Sequence, residues 1–358
     1  MILLGIETSC DETSAAILES NPACRAIKLR SNIVASQVDL HARFGGIVPE
    51  LSARAHVERL PVVVSEALHS AGCEFAAVDA IAVTCRPGLL SALLCGISYA
   101  RGLSLGLDRP LYAVDHVKAH AAAAFLNDPG GPSSPGSVPL TPEDLPAVVL
   151  VASGGHTVLL KMTTPLEFEL LGTTRDDAVG EAFDKVGQML GLPFPGGPHV
   201  ERAASGGDPA AFRFPVGVIR GAPLDFSFSG LKTAVLYTLA KMPALKRRKR
   251  LADLAASFQS AAIRALVMRS VTAIQSTGFR TFVLCGGVAA NRTLRYTLSS
   301  AMAEIGVRFS VPPFAFCGDT AAQVSVVGAY LVAANAPRAS VELDARTTSE
   351  IFDEELRG

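Results

Sequence analysis

The sequence has no Cys-x-x-Cys pair, and its seven cysteines are an odd number, scattered at 10, 24, 73, 85, 95, 285 and 317. That excludes a disulfide framework and a zinc ribbon, and it fits a reducing cytoplasm. Long apolar runs are missing too. None reaches the roughly 18 uncharged residues that a membrane helix needs, and the opening MILLGIETSCDET turns acidic before a signal-peptide pattern forms. The expectation is a soluble, cytoplasmic protein with no membrane partner. Neither sign of charge is in excess: 32 Lys+Arg against 33 Asp+Glu give a formal net charge of -1. Overall charge therefore cannot hold a nucleic acid, and only a local basic patch remains for that task.

Apolar material is plentiful. Hydrophobic residues make up 49% and charged residues 18% of the 358, enough for packed interiors and, by length, for two domains. The run ILLGI at 2–6, the polar stretch Glu7 to Ser14 and the run Ala15 to Leu18 read as strand, polar turn, strand. The same grammar returns at Ala147 to Val151, then Ala152 to Thr157, then Val158 to Leu160, so the chain reads as an internal duplication. Between the copies, apolar runs at 79–84 and 111–114 alternate with helix-like stretches at 56–71, 89–106 and 117–126, an α/β pattern. A Pro-, Gly- and Ser-rich stretch from Asn127 to Leu145 reads as the connection. Helix-like segments near 177–191, 230–241 and 250–277 and a strand at Thr281 to Leu284 follow. Two such halves would set two phosphate-approaching turns on opposite walls of a cleft, although each turn taken alone reads better as an ordinary hairpin.

Several constellations carry chemistry. His116 and His120 in HVKAH are spaced i, i+4, so on a helix both imidazoles face one side. Val117 stands where an H-E-x-x-H metallopeptidase needs its general base, which disfavours that class. Without a third donor the pair reads as two surface histidines; Asp319 in CGDTAA can supply one. Asp11 and Glu12 are either solvated turn carboxylates or cleft groups that take a proton from an attacking amine. In Ala152, Ser153, Gly154, Gly155 and His156, two residues without Cβ allow backbone amides to approach an anion. Asn291, after Gly286-Gly287, suits a purine or ribose contact or a plain helix cap. Asp184 and Glu201, on either side of the PGGP turn containing Gly197, could bond sugar hydroxyls or be solvated. The run Lys246, Arg247, Arg248, Lys249, Arg250 is a solvated helix entrance or a contact for phosphates.

Taken in order, GIETSCDETSAAIL, GGIVPELSARAH, HVKAH, SGGHT, GEAFDKVGQMLGLPFPGGP, DFSFSGLKT, GGVAANRTLR and CGDTAA closely resemble the TsaD family of tRNA adenosine threonylcarbamoyltransferases. The resemblance implies an α/β, actin-like (sugar-kinase-like) ATPase fold with two duplicated RNase-H-like domains around a central cleft. The expected boundaries are 1–130, closed in part by the C-terminal helix, a linker at 131–145, 146–340 with helical insertions, and a tail at 341–358. The implied reaction moves a threonylcarbamoyl group from threonylcarbamoyl-AMP to the exocyclic amine of the adenosine beside the anticodon, in tRNAs reading codons that begin with A, releasing AMP. By the same resemblance His116, His120 and Asp319 hold one divalent ion per subunit, iron or zinc, and Asp11 and Glu12 are the catalytic pair. Positions 152–156, Asp184, Gly197, Glu201 and Asn291 contact substrate or nucleotide, with ATP or ADP as a further occupant of the cleft. The implied partners are tRNA, a TsaB-like paralogue and a TsaE-like ATPase if the source is bacterial, and a second copy of the chain. Arg86, Asp115, Lys118 and Thr320 depart from the family's usual pattern, which bears on metal identity and affinity. Two other classes stand beside this one: an actin-fold ATPase or small-molecule kinase, and a non-catalytic scaffold. A kinase has no need of the His-His-Asp set, and a scaffold has no need of the Asp11-Glu12 turn together with SGGHT.

Overall fold

The computed structural model describes residues 1–21, 24, 26–127, 138–340 and 342–352. The first half runs β1 (Ile2–Glu7), β2 (Glu12–Ser20), β3 (Ile27–Ser36), α1 (Val38–Ala42), α2 (Pro49–Ala71), β4 (Ala80–Arg86), α3 (Leu90–Leu107), β5 (Leu111–Asp115) and α4 (His116–Ala122). The second half opens with β6 (Ala147–Ala152), β7 (Thr157–Met162), β8 (Phe168–Thr173), α5 (Val179–Met189) and α6 (Gly196–Ala204). It continues through α7 (Ser229–Ala240), α8 (Ala244–Lys249), α9 (Leu251–Thr277), β9 (Thr281–Cys285), α10 (Arg292–Glu304), β10 (Arg308–Ser310) and α11 (Ala321–Ala333).

The duplication is explicit in the sheets. One has the order β3-β2-β1-β4-β5 and the other β8-β7-β6-β9-β10. In each, the first strand pairs antiparallel with the second and parallel with the fourth, so the two halves share one topology.

Strand alternation sorts the core into layers, because successive side chains point to opposite faces. Leu4, Ile6, Ile81 and Val83 face outward onto α2 and α3, joining Leu60, Val64, Leu93 and Ile97. Leu3, Ala82 and Val114 face inward and share one cluster with Val149, Val151 and Val283 of the other sheet and with Val324 and Val327 of α11. Val148, Leu150 and Leu159 point the other way, onto Phe183, Phe258 and Leu266 of the outer helices. The layers therefore run helices, sheet, middle helices, sheet, helices. Because the central strands are covered on both faces, they read as continuous apolar runs.

Helix ends follow from local chemistry. Pro49 at the first position starts α2, and Gly72 at φ 64 ends it in the left-handed conformation. Helix α4 is shorter than the helix-like stretch at 117–126, because a 3-10 turn takes over at Ala123–Phe125. The edge strands β3 and β8 carry half-exposed, mixed faces and so lack the apolar signature. The Pro-Gly-Gly-Pro stretch reads as a turn, yet Gly196–Ala204 is helical.

Residues 128–137 of the expected connection lie outside the described residues, as do 341 and 353–358 of the expected tail. The rest of the connection docks on the second sheet: Ser310 Oγ donates to Val138 O at 2.9 Å and Thr281 Oγ1 to Asp144 O at 2.8 Å. Two helices, Leu90–Leu107 and Leu251–Thr277, reach the length and mean hydropathy of a membrane span, which the count of uncharged residues did not register. Both are layers of the fold. Helix α3 carries Arg101 and packs on β4 and α2, and α9, mostly buried, packs on α6 and β6.

Helix α11 docks on β1 through Gly5, where an added Cβ would meet the Ala321 carbonyl and, at 2.9 Å, Ser325 Cβ. Neither is a flexible side-chain end. Gly5→Ala is therefore expected to lower unfolding free energy by about 1–3 kcal/mol through overpacking, read as a lower urea midpoint at unchanged slope. An unaltered midpoint would contradict this packing.

Candidate functional site

The two hairpin turns are built differently. In the first, Glu7 pairs with Ser14, leaving a polar turn. In the second, Ala152 pairs with Thr157, and Ser153 closes the turn: its N–H donates to His156 O at 2.8 Å and its Oγ accepts from His156 N at 3.1 Å. Behind this turn space is tight, since a Cβ on Gly180 would lie 2.8 Å from Gly154 Cα, and Gly286, at φ 90, abuts Ala152. In front it is open, because a Cβ on Gly154 or Gly155 would meet nothing within 4 Å. A fixed turn with an open face is what an anion-binding backbone nest requires.

Strand β5 runs directly into α4, whose N-cap Asp115 accepts from Val117 N at 2.9 Å and Lys118 N at 3.4 Å. His116 and His120 then face one side of a single turn, their ring centroids 4.4 Å apart. Asp319, just before α11, arrives opposite them: its Oδ1 lies 3.5 Å from His116 Nε2 and 3.4 Å from His120 Nε2. One ligand atom from each lies within 4.8 Å of the others. His120 Nε2 is buried without a hydrogen bond, although the ring's other nitrogen lies 3.5 Å from Gln323 Nε2. Two imidazoles and a carboxylate converging on an unpaired buried nitrogen fit a divalent ion.

Glu7 orders the same group from below. Its Oε2 lies 3.1 Å from His116 Nδ1 and accepts from Thr84 Oγ1 at 2.6 Å, while its Oε1 accepts from Ser9 N at 2.5 Å. Ser9 Oγ is also 3.2 Å from His116 Nδ1. A hydrogen bond on Nδ1 leaves Nε2 for a cation. Burial favours the neutral imidazole of His116, yet the Asp319 and Glu7 carboxylates outweigh it and raise the group to about 9. Burial likewise opposes the charge on Glu7 and Asp319, but His116 beside Glu7, and the histidines around Asp319, hold both carboxyls below their usual range. His156 brings the second turn against the first half, its ring 6.4 Å from His116. Burial, then the charges of His116 and His120, press it down to about 3.

Glu12, half-buried, accepts from Ser36 Oγ at 3.0 Å. Burial first, then the charges of Asp11 and Asp319, push its carboxyl up to about 9. Asp184 Oδ1 accepts from Gly196 N at 2.7 Å and Glu201 Oε1 from Arg292 N at 2.7 Å, so both serve the starts of helices, α6 and α10. Asn291 caps α10 through Leu294 N at 2.9 Å and donates to Gln259 at 2.8 Å. An added Cβ on Gly197 would meet open space. Lys246, Arg247, Arg248 and Lys249 are exposed on α8, whereas Arg250 is held by Asp253 at 2.6 Å and by the Phe212 ring. Asp115, Lys118 and Arg86 point their polar groups at Ser349 and Glu350.

Glu7, Ser9, Thr84 and Gln323 were not singled out from the sequence. The available signal was Glu7 itself, an acid ending an otherwise apolar strand, since a buried carboxylate demands partners. Glu7→Gln should move the His116 titration in metal-free protein down from about 9, followed by imidazole NMR. The raised group stabilises the metal-free fold fully below its unfolded value of about 6.5 and loses that contribution as pH rises through about 9. Wild type should therefore weaken over that window, and Glu7→Gln should weaken less. Identical titrations in both proteins would refute the pairing.

The family described as TsaD, tRNA N6-adenosine threonylcarbamoyltransferase, matches residues 28–326. A protein of that name from Symbiobacterium thermophilum is 47% identical over 330 residues, covering 92% of this chain and 91% of its own. Its namesake from Moorella thermoacetica is 46% identical over 328 residues, at 92% and 91% coverage. Among solved structures, full-length HypF in its phosphate- and nucleotide-bound form superposes with TM-score 0.58 at 12% identity, over 92% of this chain and 46% of that one. This likeness concerns the fold alone, and with the duplicated sheets it gives the actin-like ATPase architecture. The matched span and the identities over nine-tenths of both sequences establish that the chain belongs to the TsaD family, the tRNA N6-adenosine threonylcarbamoyltransferases.

Proposed function

We propose that the chain transfers a threonylcarbamoyl group from threonylcarbamoyl-AMP to N6 of the adenosine beside the anticodon, in tRNAs reading codons that begin with A. The observation that carries this reading is the convergence of His116, His120 and Asp319, with His156 of the SGGHT turn 6.4 Å from the His116 ring and Glu12 close enough to feel the charge of Asp319. A kinase or scaffold has no use for that conjunction.

His116, His120 and Asp319 would hold one iron or zinc ion, which when bound supplies Lewis acidity at an acyl or phosphate oxygen. The amides of Gly154 and Gly155, on the open face of their turn, take the adenylate phosphate. Asp184, Gly197, Glu201 and Asn291 lie at or beside the helix starts of α6 and α10 and line the ribose and adenine side, where ATP or ADP would also sit. An exocyclic adenine amine is a poor nucleophile, so the acyl group arrives as a mixed anhydride. N6 attacks the carbamoyl carbon, the bond to the phosphate oxygen breaks, AMP departs, and the Asp11-Glu12 pair receives the amine proton. The half-buried Glu12 carboxyl, raised to about 9, already carries a proton at neutral pH and shares it with Asp11, which leaves Asp11 as the member of the pair open to the amine proton.

The tRNA is assigned to the exposed basic face of α8, Lys246 to Lys249, with Arg250 anchoring the helix. A TsaB-like paralogue is assigned to the outer face of α2 and α3, where Val57 is 64% and Val62 63% exposed beside a groove of about 390 Å³ lined by Leu60, Leu94 and Tyr99. A second copy of the chain is the other candidate for that face, and a TsaE-like ATPase would act on the assembled pair. Such a role places the protein in the cytoplasm, with its tRNA.

Nucleoside mass spectrometry of tRNA after depletion tests the reaction, and full retention of threonylcarbamoyladenosine with no second homologue present would reject it. His120→Ala should lose both stoichiometric metal and transfer activity. Because His116 carries a proton below about 9 in the metal-free protein, metal entry should expel about one proton, so affinity rises about tenfold per pH unit below that value and then levels. Calorimetry in two buffers of different ionisation enthalpy reads this directly. Neutralising Lys246, Arg247 and Arg248 should weaken tRNA binding and flatten its salt dependence by about one unit of slope per lost contact, leaving adenylate binding unchanged.

A further inference from the structure

We propose that the segment from Ala345 to Phe352 is a strap that positions the ligand-bearing helix α4, with Ser349 and Glu350 as its positioning residues. The proposal rests on the reading of His116 and His120 as metal ligands.

The strap grips α4 at its root. Asp115 is 4% exposed and its carboxylate is used on both sides. Oδ1 caps the first turn of α4, while Oδ2 accepts from Ser349 Oγ at 2.7 Å and from Glu350 N at 3.1 Å. An ionised carboxylate offers about four acceptor positions, and here all four are taken. The residue that starts α4 therefore cannot turn without breaking bonds to the strap. His116 is the next residue, so the same bonds fix where the first imidazole enters the site.

A second grip is electrostatic. Glu350 forms ion pairs with Lys118, which stands between the two histidines in sequence, and with Arg86 at the end of β4, 3.5 Å away. Lys118 also donates to Leu166 O at 3.3 Å and lies 5.8 Å from the Phe168 ring centroid, reaching the second sheet. Glu350 thus balances two cations beside a helix whose task is to receive a third. Taking it away removes the ion-pair partner of both, leaving Asp115 as their nearest carboxylate, and frees the side chain that spans the two halves.

The strap is built in rather than draped over the surface. Ser349 is fully buried, Ile351 is 3% exposed within the middle core, and Arg346 N donates to Cys85 O at 3.0 Å. Leu343 O, just upstream, accepts from Arg101 of α3. Removing outer partners of metal-binding histidines costs tenfold to a hundredfold in affinity, and the same scale is expected here although the strap acts one step further out.

The test uses full-length protein stripped of metal. Zinc affinity is measured by competition with a chromophoric chelator, amide exchange is followed at 116–122, and thermal midpoints are recorded for wild type, Ser349→Ala, Glu350→Gln and Lys118→Gln/Glu350→Gln. Each single variant should bind zinc about tenfold more weakly and exchange faster across α4, with a midpoint within about 4 °C of wild type, the shift that a change of about 1 kcal/mol produces. The double variant should recover part of the loss, because the positive charge left beside the site by Glu350→Gln falls by one. Unchanged zinc affinity overturns the proposal, even if exchange quickens, since the segment would then be a clasp without influence on the ligands. If wild type and His120→Ala bind zinc equally, the metal reading itself fails. The strap proposal then falls with it, whereas zinc lost in His120→Ala beside unchanged affinity in the strap variants overturns the strap alone.

Discussion

Glu7 is a carboxylate with no exposure, at the end of the central strand of the first sheet. Such a group is tolerated only with charge-assisted partners, and each partner it recruits belongs to a different element: Ser9 in the turn, Thr84 on β4 and His116 on α4. His116 then faces Asp319, which carries the arrangement on to His120 and His156. The polar centre is a chain of alternating acids and imidazoles. Each member feels its neighbours' charge, and Glu7, His116, Asp319 and His156 depart from their ordinary titration accordingly.

Topology gathers these groups at one end of the first sheet. In an open sheet with parallel strands, the carboxyl ends of the central strands meet where crossovers diverge, and groups there escape the packed layers. Glu7, Thr84 and Asp115 all lie at or near such ends of β1, β4 and β5. The second sheet repeats the order, so its own turn, Ser153 to His156, is carried to the facing position. Duplication provides two walls, and the two have diverged in chemistry, one toward carboxylates and the other toward an open glycine backbone.

In the second half, three polar side chains hold the fold at helix starts. Asp184, Glu201 and Asn291 satisfy orphan amides at helix starts. Their orientation is therefore fixed by the fold itself, so under the proposed reading a nucleotide would bind with little reorganisation. Arg250 shows the opposite division of labour: its pairing with Asp253 and Phe212 leaves the outward charges of α8 to its neighbours.

Local periodicity determined a good deal. The apolar runs around Glu7 to Ser14 and around Ala152 to Thr157 gave both hairpins, and the spacing of His116 and His120 gave one helical face bearing two imidazoles. These are short-range patterns, set by the two-residue repeat of a strand and the turn of a helix. The resemblance of the ordered motifs supplied the family. Edge strands β3 and β8 stayed hidden because half-exposed strands carry mixed polarity, and α6 stayed hidden behind a Gly-Gly-Pro start. Only the tertiary structure decided what Glu7 and Asp115 bind, since their partners, His116 and Ser349, are far away in sequence. It alone also brought Asp319 onto the histidines from the other end of the chain, by packing α11 against β1. A buried charge specifies that it must have a partner, but which partner arrives depends on how whole layers close over it.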